Sequence, residues 1–208
     1  MFMEIPALYC VLKGGEVKAA PANINGTAIS FESEPDRPTY SADELDERMP
    51  ILVADVKGLN RGEMDDRLLT GMEFRGSDVW FMTHIKDIED VFDCFMGDVV
   101  KVLIPYHTTR NDLVMEEAYE VSENCIPILF ASQGRAICRG GQTKDISTAI
   151  EGLARTGFNE IAILDTDSLI GEEEWLRYKD RFQGLIPFLK GTGLSSACTD
   201  FQKIIVDH

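Results

Sequence analysis

Lys144 to Asp167 reads KDISTAIEGLARTGFNEIAILDTD. An amphipathic run behind Asp145, a suitable N-cap, ends at Gly157, and Phe158 leads into an apolar run over 161–167. That second run has too few polar residues for a strand with one wet face. A helix followed by a strand covered on both sides is the unit from which parallel sheets are assembled.

The unit recurs along the chain. Strand-like runs stand at 7–13, 51–57, 79–85, 99–106, 126–132, 161–167 and 185–191. Helical candidates lie between them: SADELDERM from Ser41, KDIEDVFDCF from Lys86, NDLVMEEAYEVSE from Asn111, which is itself a suitable N-cap, and EEEWLRYKDRF from Glu172. The tail offers KIIVD at 203–207 as a short eighth strand, with the end of a helix as the alternative. The segment from Pro21 to Pro38 is the longest loop candidate. No linker rich in Pro, Gly or Ser divides the chain, so a single domain over 1–208 is expected.

Composition narrows the function classes. Hydrophobic residues make up 44% and charged residues 27%, and no apolar run approaches the roughly 18 residues of a membrane span. The opening MFMEIPALYC lacks a basic start and a long apolar stretch, so a soluble, cytoplasmic protein is expected. The net charge of −16, from 36 acidic and 20 basic residues, marks an acidic protein that repels nucleic-acid backbones and anionic membranes. Neither is an expected partner. Cys10, Cys94, Cys125, Cys138 and Cys198 are scattered and form no CxxC pair, which reads as reduced, buried thiols. No metal and no organic cofactor is expected.

Several stretches resemble the HisA/HisF barrels, the isomerase-type barrels of histidine biosynthesis. IPALYCVLKGGEVKA is similar to their opening strand, VADVKGL to their second with its aspartate at Asp55, and IKDIEDV to the helix after their third. ARTGFNEIAILDTD is similar to the approach to their sixth strand and GTGLSSACTDF to their seventh-strand signature, and the spacing fits along nearly the whole chain. The resemblance implies an α/β fold, a TIM-type (βα) barrel short or incomplete at the eighth βα unit. Function in that architecture gathers at the carboxyl ends of the strands.

The departures from the family pattern carry the functional reading. The aspartates that serve the family as acid and base at the ends of the first and fifth strands are matched by Val11 and Ala131, whose side chains exchange no proton. Leu164 matches a threonine. The third-strand glycine cluster is replaced by Met82, Thr83 and His84. The seventh-strand pair becomes Gly191, Thr192 and Gly193 with Ser195 nearby, an altered phosphate site, since backbone amides approach phosphate only past small side chains.

The polar residues at strand ends are the remaining candidates. Strand alternation groups Asp55 with Lys57, Lys13 with Tyr9 and Val11, and Asp165 with Asp167. These charges form either a satisfied ion-pair network or a reactive rim, in which Lys57, then Lys13, acts as nucleophile or base and Asp165 moves protons. His84 is the titratable candidate near neutral pH or a structural histidine, and His107 is a ligand contact or a bystander. Lys190 is a phosphate partner or a solvated charge. The catalytic candidates are Lys57, Asp55, Asp165, Lys13 and His84; the ligand-binding candidates are Gly191, Thr192, Gly193, Ser195 and Asp167.

The leading expectation is a HisA-like barrel that binds a small phosphorylated metabolite, with the isomerase chemistry altered or lost. The alternatives are a lysine-dependent Schiff-base lyase or condensing enzyme of cofactor biosynthesis, a non-catalytic structural or regulatory subunit, and a retained ribotide isomerase in which Asp55 and Asp165 replace the lost pair. Homo-oligomerisation stays open.

Overall fold

The computed structural model describes residues 3–32, 49–72, 78–190 and 200–207. The chain begins with β1 (Met3–Lys13), β2 (Glu16–Ala19), β3 (Ala22–Asn25), β4 (Ala28–Phe31) and β5 (Ile51–Asp55), then α1 (Val56–Arg61) and α2 (Asp66–Gly71). There follow β6 (Val79–Met82), α3 (Ile88–Met96), β7 (Lys101–Pro105), α4 (Leu113–Val121), β8 (Cys125–Ser132), β9 (Arg135–Ile137) and β10 (Thr143–Asp145). The last elements are α5 (Ile146–Thr156), β11 (Ile161–Asp165), α6 (Glu172–Arg181), β12 (Leu185–Leu189) and β13 (Lys203–Asp207).

Eight strands close a ring in the order β1, β5, β6, β7, β8, β11, β12, β13, each parallel to both neighbours. This is a TIM-type barrel. The tail KIIVD is the closing strand: Met3 stands opposite Lys203, and β13 also pairs with β12, so neither β1 nor β12 is left with a bare edge. Helices follow β5, β6, β7, β8 and β11; among the described residues none follows β1 or β12. The helix expected from Ser41 lies outside the described residues, apart from Met49.

The two faces of the ring make two cores. Tyr9, Ala54, Met82, Phe130, Leu164 and Phe188 point into the lumen, while their chain neighbours Leu8, Val53, Phe81, Leu129 and Ile163 pack outward under the helices. Burying one such side chain contributes about 1.5–3 kcal/mol, and both faces need it, which is why the strands read as unbroken apolar runs. Local signals agree. Asp145 accepts from Thr148 N at 3.0 Å to start α5 and Gly157 ends it at φ +114°, whereas α4 takes Asp112 as its N-cap, with Asn111 one position earlier accepting from Val114 N at 3.4 Å.

Both ends of the lumen are covered. At the amino-terminal end Glu160 accepts from Lys101 at 2.5 Å and from Lys203, and the two ammonium groups stand 5.0 and 5.7 Å from the centre of the Trp80 ring. At the carboxyl-terminal end the expected loop from Pro21 is instead, over Ala22–Phe31, the β3–β4 hairpin. It turns at Gly26 and Thr27, with Gly26 at φ +60°. Its Ala22, Ile24 and Ile29 are buried with the lumen residues. Asn60 of α1 pairs with both backbone groups of Ile29, and Lys190 donates to Ile24 O at 2.9 Å.

Candidate functional site

Asp55 and Asp165 end their strands on the outward-facing register, in line with Val53 and Ile163 rather than with the lumen residues Ala54 and Leu164. Strand alternation read from the sequence leaves open which way they point; the structure turns both away from the lumen. In the eight-strand ring β5 and β11 stand four places apart, on opposite sides. These two carboxylates therefore do not meet in one cavity.

Each organises a loop instead. Asp55 accepts from Gly58 N at 2.8 Å, Asp65 N at 2.9 Å and Thr83 Oγ1 at 2.7 Å. Burial raises its pKa against the opposing effect of these three bonds. Asp165 accepts from Ile170 N at 2.8 Å and Leu169 N at 3.3 Å, and Asp167 accepts from Gln133 N at 2.6 Å and Ser132 Oγ at 3.0 Å. Burial and then Asp167 raise the pKa of Asp165, while for Asp167 burial is outweighed by its donors and the pKa falls.

The lysines are also placed by the loops. The second strand stops at Asp55, so Lys57 belongs to α1, and the shared strand face of Asp55 and Lys57 expected from a longer strand does not form. Lys57 donates to Asp65 at 2.5 Å on a half-open surface. Lys13 is exposed at the tip of the β1–β2 hairpin, opposite Glu16. Gly191, Thr192, Gly193 and Ser195 lie outside the described residues.

A different group of polar side chains gathers at the covered mouth. His107 lies against the lumen residue Phe130 with ring centres 4.7 Å apart and planes tilted by 60°, and its buried Nδ1 has no hydrogen-bond partner among the described residues. Burial, then the field of His84, brings its pKa down to about 4. His84 is half-buried; burial lowers its pKa too, with Lys86 assisting and Asp90 and Asp55 opposing. On the far side Tyr9 is buried, and desolvation followed by the charge of Asp207 raises its pKa. Lys190 reaches over from the end of β12 to Thr166 O at 2.7 Å and Ile24 O.

Val11 and Ala131 differ in placement: Val11 packs against the lumen cluster, whereas Ala131 faces outward and its carbonyl receives Thr166 N and Oγ1. The mouth thus holds two imidazoles, a phenol, one ammonium and one carboxylate under an apolar hairpin. Such a set can bind and orient an anion or a polar ring. Of its members, the sequence points to His84, His107 and Lys190 but not to Tyr9 and Asp207; the signal for Asp207 is its place two residues after Ile205 in the closing strand. Among the described residues no three His, Cys, Asp or Glu side chains come together as a metal site, and no helix is long and apolar enough to cross a membrane. By sequence, the chain matches no protein-family model and no curated protein.

Proposed function

We propose that this barrel binds a small phosphorylated metabolite at its carboxyl-terminal mouth, beneath the β3–β4 hairpin, and that the aldose–ketose isomerase chemistry of the HisA/HisF type has been altered or lost. One observation carries the reading: the strand-end carboxylates Asp55 and Asp165 face outward on opposite sides of the ring, while the polar groups gathered at the mouth are His84, His107, Lys190, Tyr9 and Asp207. Proton transfer in sugar isomerisation needs an acid and a base aimed at neighbouring carbons, and a misplaced base costs orders of magnitude in rate. A buried imidazole nitrogen without a partner is a vacant acceptor or donor for a ligand hydroxyl or phosphate oxygen.

The test combines an assay with a titration. The purified chain is expected to show no enzyme-like isomerisation of the histidine-pathway aminoaldose, and ribose 5-phosphate is expected to shift the imidazole resonances of His84 and His107. Turnover at an enzyme-like rate would overturn the reading, and so would imidazole signals indifferent to every phosphorylated sugar tried. The covering hairpin favours, as a second reading, a non-catalytic subunit role. A lysine-dependent reaction at Lys57 is disfavoured by its ion pair with Asp65, and borohydride trapping with carbonyl compounds is expected to leave Lys57 and Lys13 unmodified.

A further inference from the structure

Between α4 and α5, outside the barrel wall, lies a cleft of about 380 Å3, within the roughly 300–1,000 Å3 range of small-molecule sites. Its apolar side is Met115, Ala149 and Leu153, and its polar rim is Tyr106, Lys144, Glu116 and Arg155. None of these residues belongs to the mouth described above.

The rim is arranged as a chain of hydrogen bonds. Tyr106 donates its hydroxyl proton to Asp112 at 3.0 Å and accepts from Lys144 Nζ at 3.0 Å. Arg139 answers the charge of Asp112 at 2.9 Å and lies 4.6 Å from the Tyr106 ring centre. Asp112 also lines the cleft, with its charge answered by Arg139, so Lys144 and Arg155 are the cleft's cations and Glu116 its second anion. Among the described residues neither Arg155 nor Glu116 makes an ion pair.

Gly152 is the second observation. It sits inside α5, where glycine is worse than alanine by about 1 kcal/mol, yet a Cβ built on it meets nothing within 4 Å and its backbone is ordinary helix. Neither a close neighbour nor a left-handed conformation asks for glycine there. What the missing side chain provides is open volume in the cleft.

We infer that the α4–α5 cleft is a second binding site, for a small carboxylate or phosphate ester that also carries a hydroxyl or amino group. The anionic end meets Lys144 and Arg155, the donor group meets Glu116, and the apolar body rests on Met115 and Leu153. This site is independent of the mouth reading.

Calorimetric titration of the full chain with malate, 3-phosphoglycerate and phosphoserine tests it. At least one is expected to bind saturably at a single site, at least tenfold more weakly in Lys144→Gln and in Gly152→Leu. Amide shifts on binding are expected at Gly152 and Leu153. Gly152→Leu fills open space, so it is expected to keep or raise the melting temperature; should it fall, Lys144→Gln still reports. Absence of saturable binding by all three probes, or binding that survives both substitutions, overturns the cleft. Shifts confined to His84 and His107 would assign the ligand to the mouth and also overturn it, leaving the mouth reading in place.

Discussion

Gly58 lies so close to Asp55 that a Cβ added to it would stand 2.0 Å from Asp55 Oδ2. The close approach lets the Gly58 amide reach the carboxylate that also holds Asp65 N and Thr83 Oγ1. Gly58→Ala must push this buried hub apart, and overpacking of that kind costs typically about 1–3 kcal/mol. We expect about 2 kcal/mol lost in urea unfolding. An unchanged midpoint would show that Asp55 does not anchor the loop.

His107 makes stability depend on pH. Its folded-state pKa of about 4 lies below the ordinary 6.5, so between those values the unfolded chain binds more protons than the folded one. The contribution is complete above pH 6.5 and is lost as pH falls toward 4. Unfolding free energies measured across this window are expected to decline more steeply in the native chain than in His107→Phe. A His107 imidazole resonance titrating near 6.5 would contradict this.

At the opposite end Glu160 gives a second acid-sensitive contribution. Burial opposes its ionisation, but the bonds and charges of Lys101 and Lys203 outweigh it and lower its pKa, so this stability is present above the ordinary 4.5 and is lost as pH falls through the lowered value. Glu160→Gln leaves two cations facing each other beside Trp80. Breaking a fully buried pair costs 3–5 kcal/mol; with Glu160 at 20% side-chain exposure, we expect about 2 kcal/mol in thermal unfolding at pH 7. The difference between the two proteins should close at strongly acidic pH.

The hairpin cover is latched by Asn60, which gives and receives one bond with Ile29. Each such bond contributes about 1 kcal/mol net. In Asn60→Ala the amides of Ala22–Phe31 are expected to exchange with solvent at least tenfold faster while those of β11 stay protected. Equal acceleration in both would mean that the cover and barrel open together.

Seven of the barrel strands and the helix caps at Asp145 and Gly157 are legible because long apolar runs and capping residues are local signals, whereas KIIVD reads as either a strand or a helix end and α4 takes Asp112 rather than Asn111 as its N-cap. The direction of Asp55 and Asp165 is not legible. A strand such as ILVAD, buried on both faces, carries no alternation from which to tell lumen from wall. Lys57 reads as part of the same strand because nothing before it breaks the run, whereas Asp55 caps the helix that follows. The β3–β4 hairpin left a trace, isoleucines two places in from a glycine turn on each side, but two strands of four residues fall below what a pattern reading separates from a loop. Tyr9 feels the charge of Asp207 across the 197 positions between them, a proximity no local pattern encodes.

The pairing of Met3 with Lys203 also sets a condition on biogenesis. A chain leaving the ribosome at about 5–20 residues per second exposes β1 well before β13 exists. For that interval both β1 and β12 offer unsatisfied strand edges, with Lys203 to Asp207 the last piece able to cover them. Nascent chains halted before that segment should be sticky and protease-sensitive, and those that include it should not.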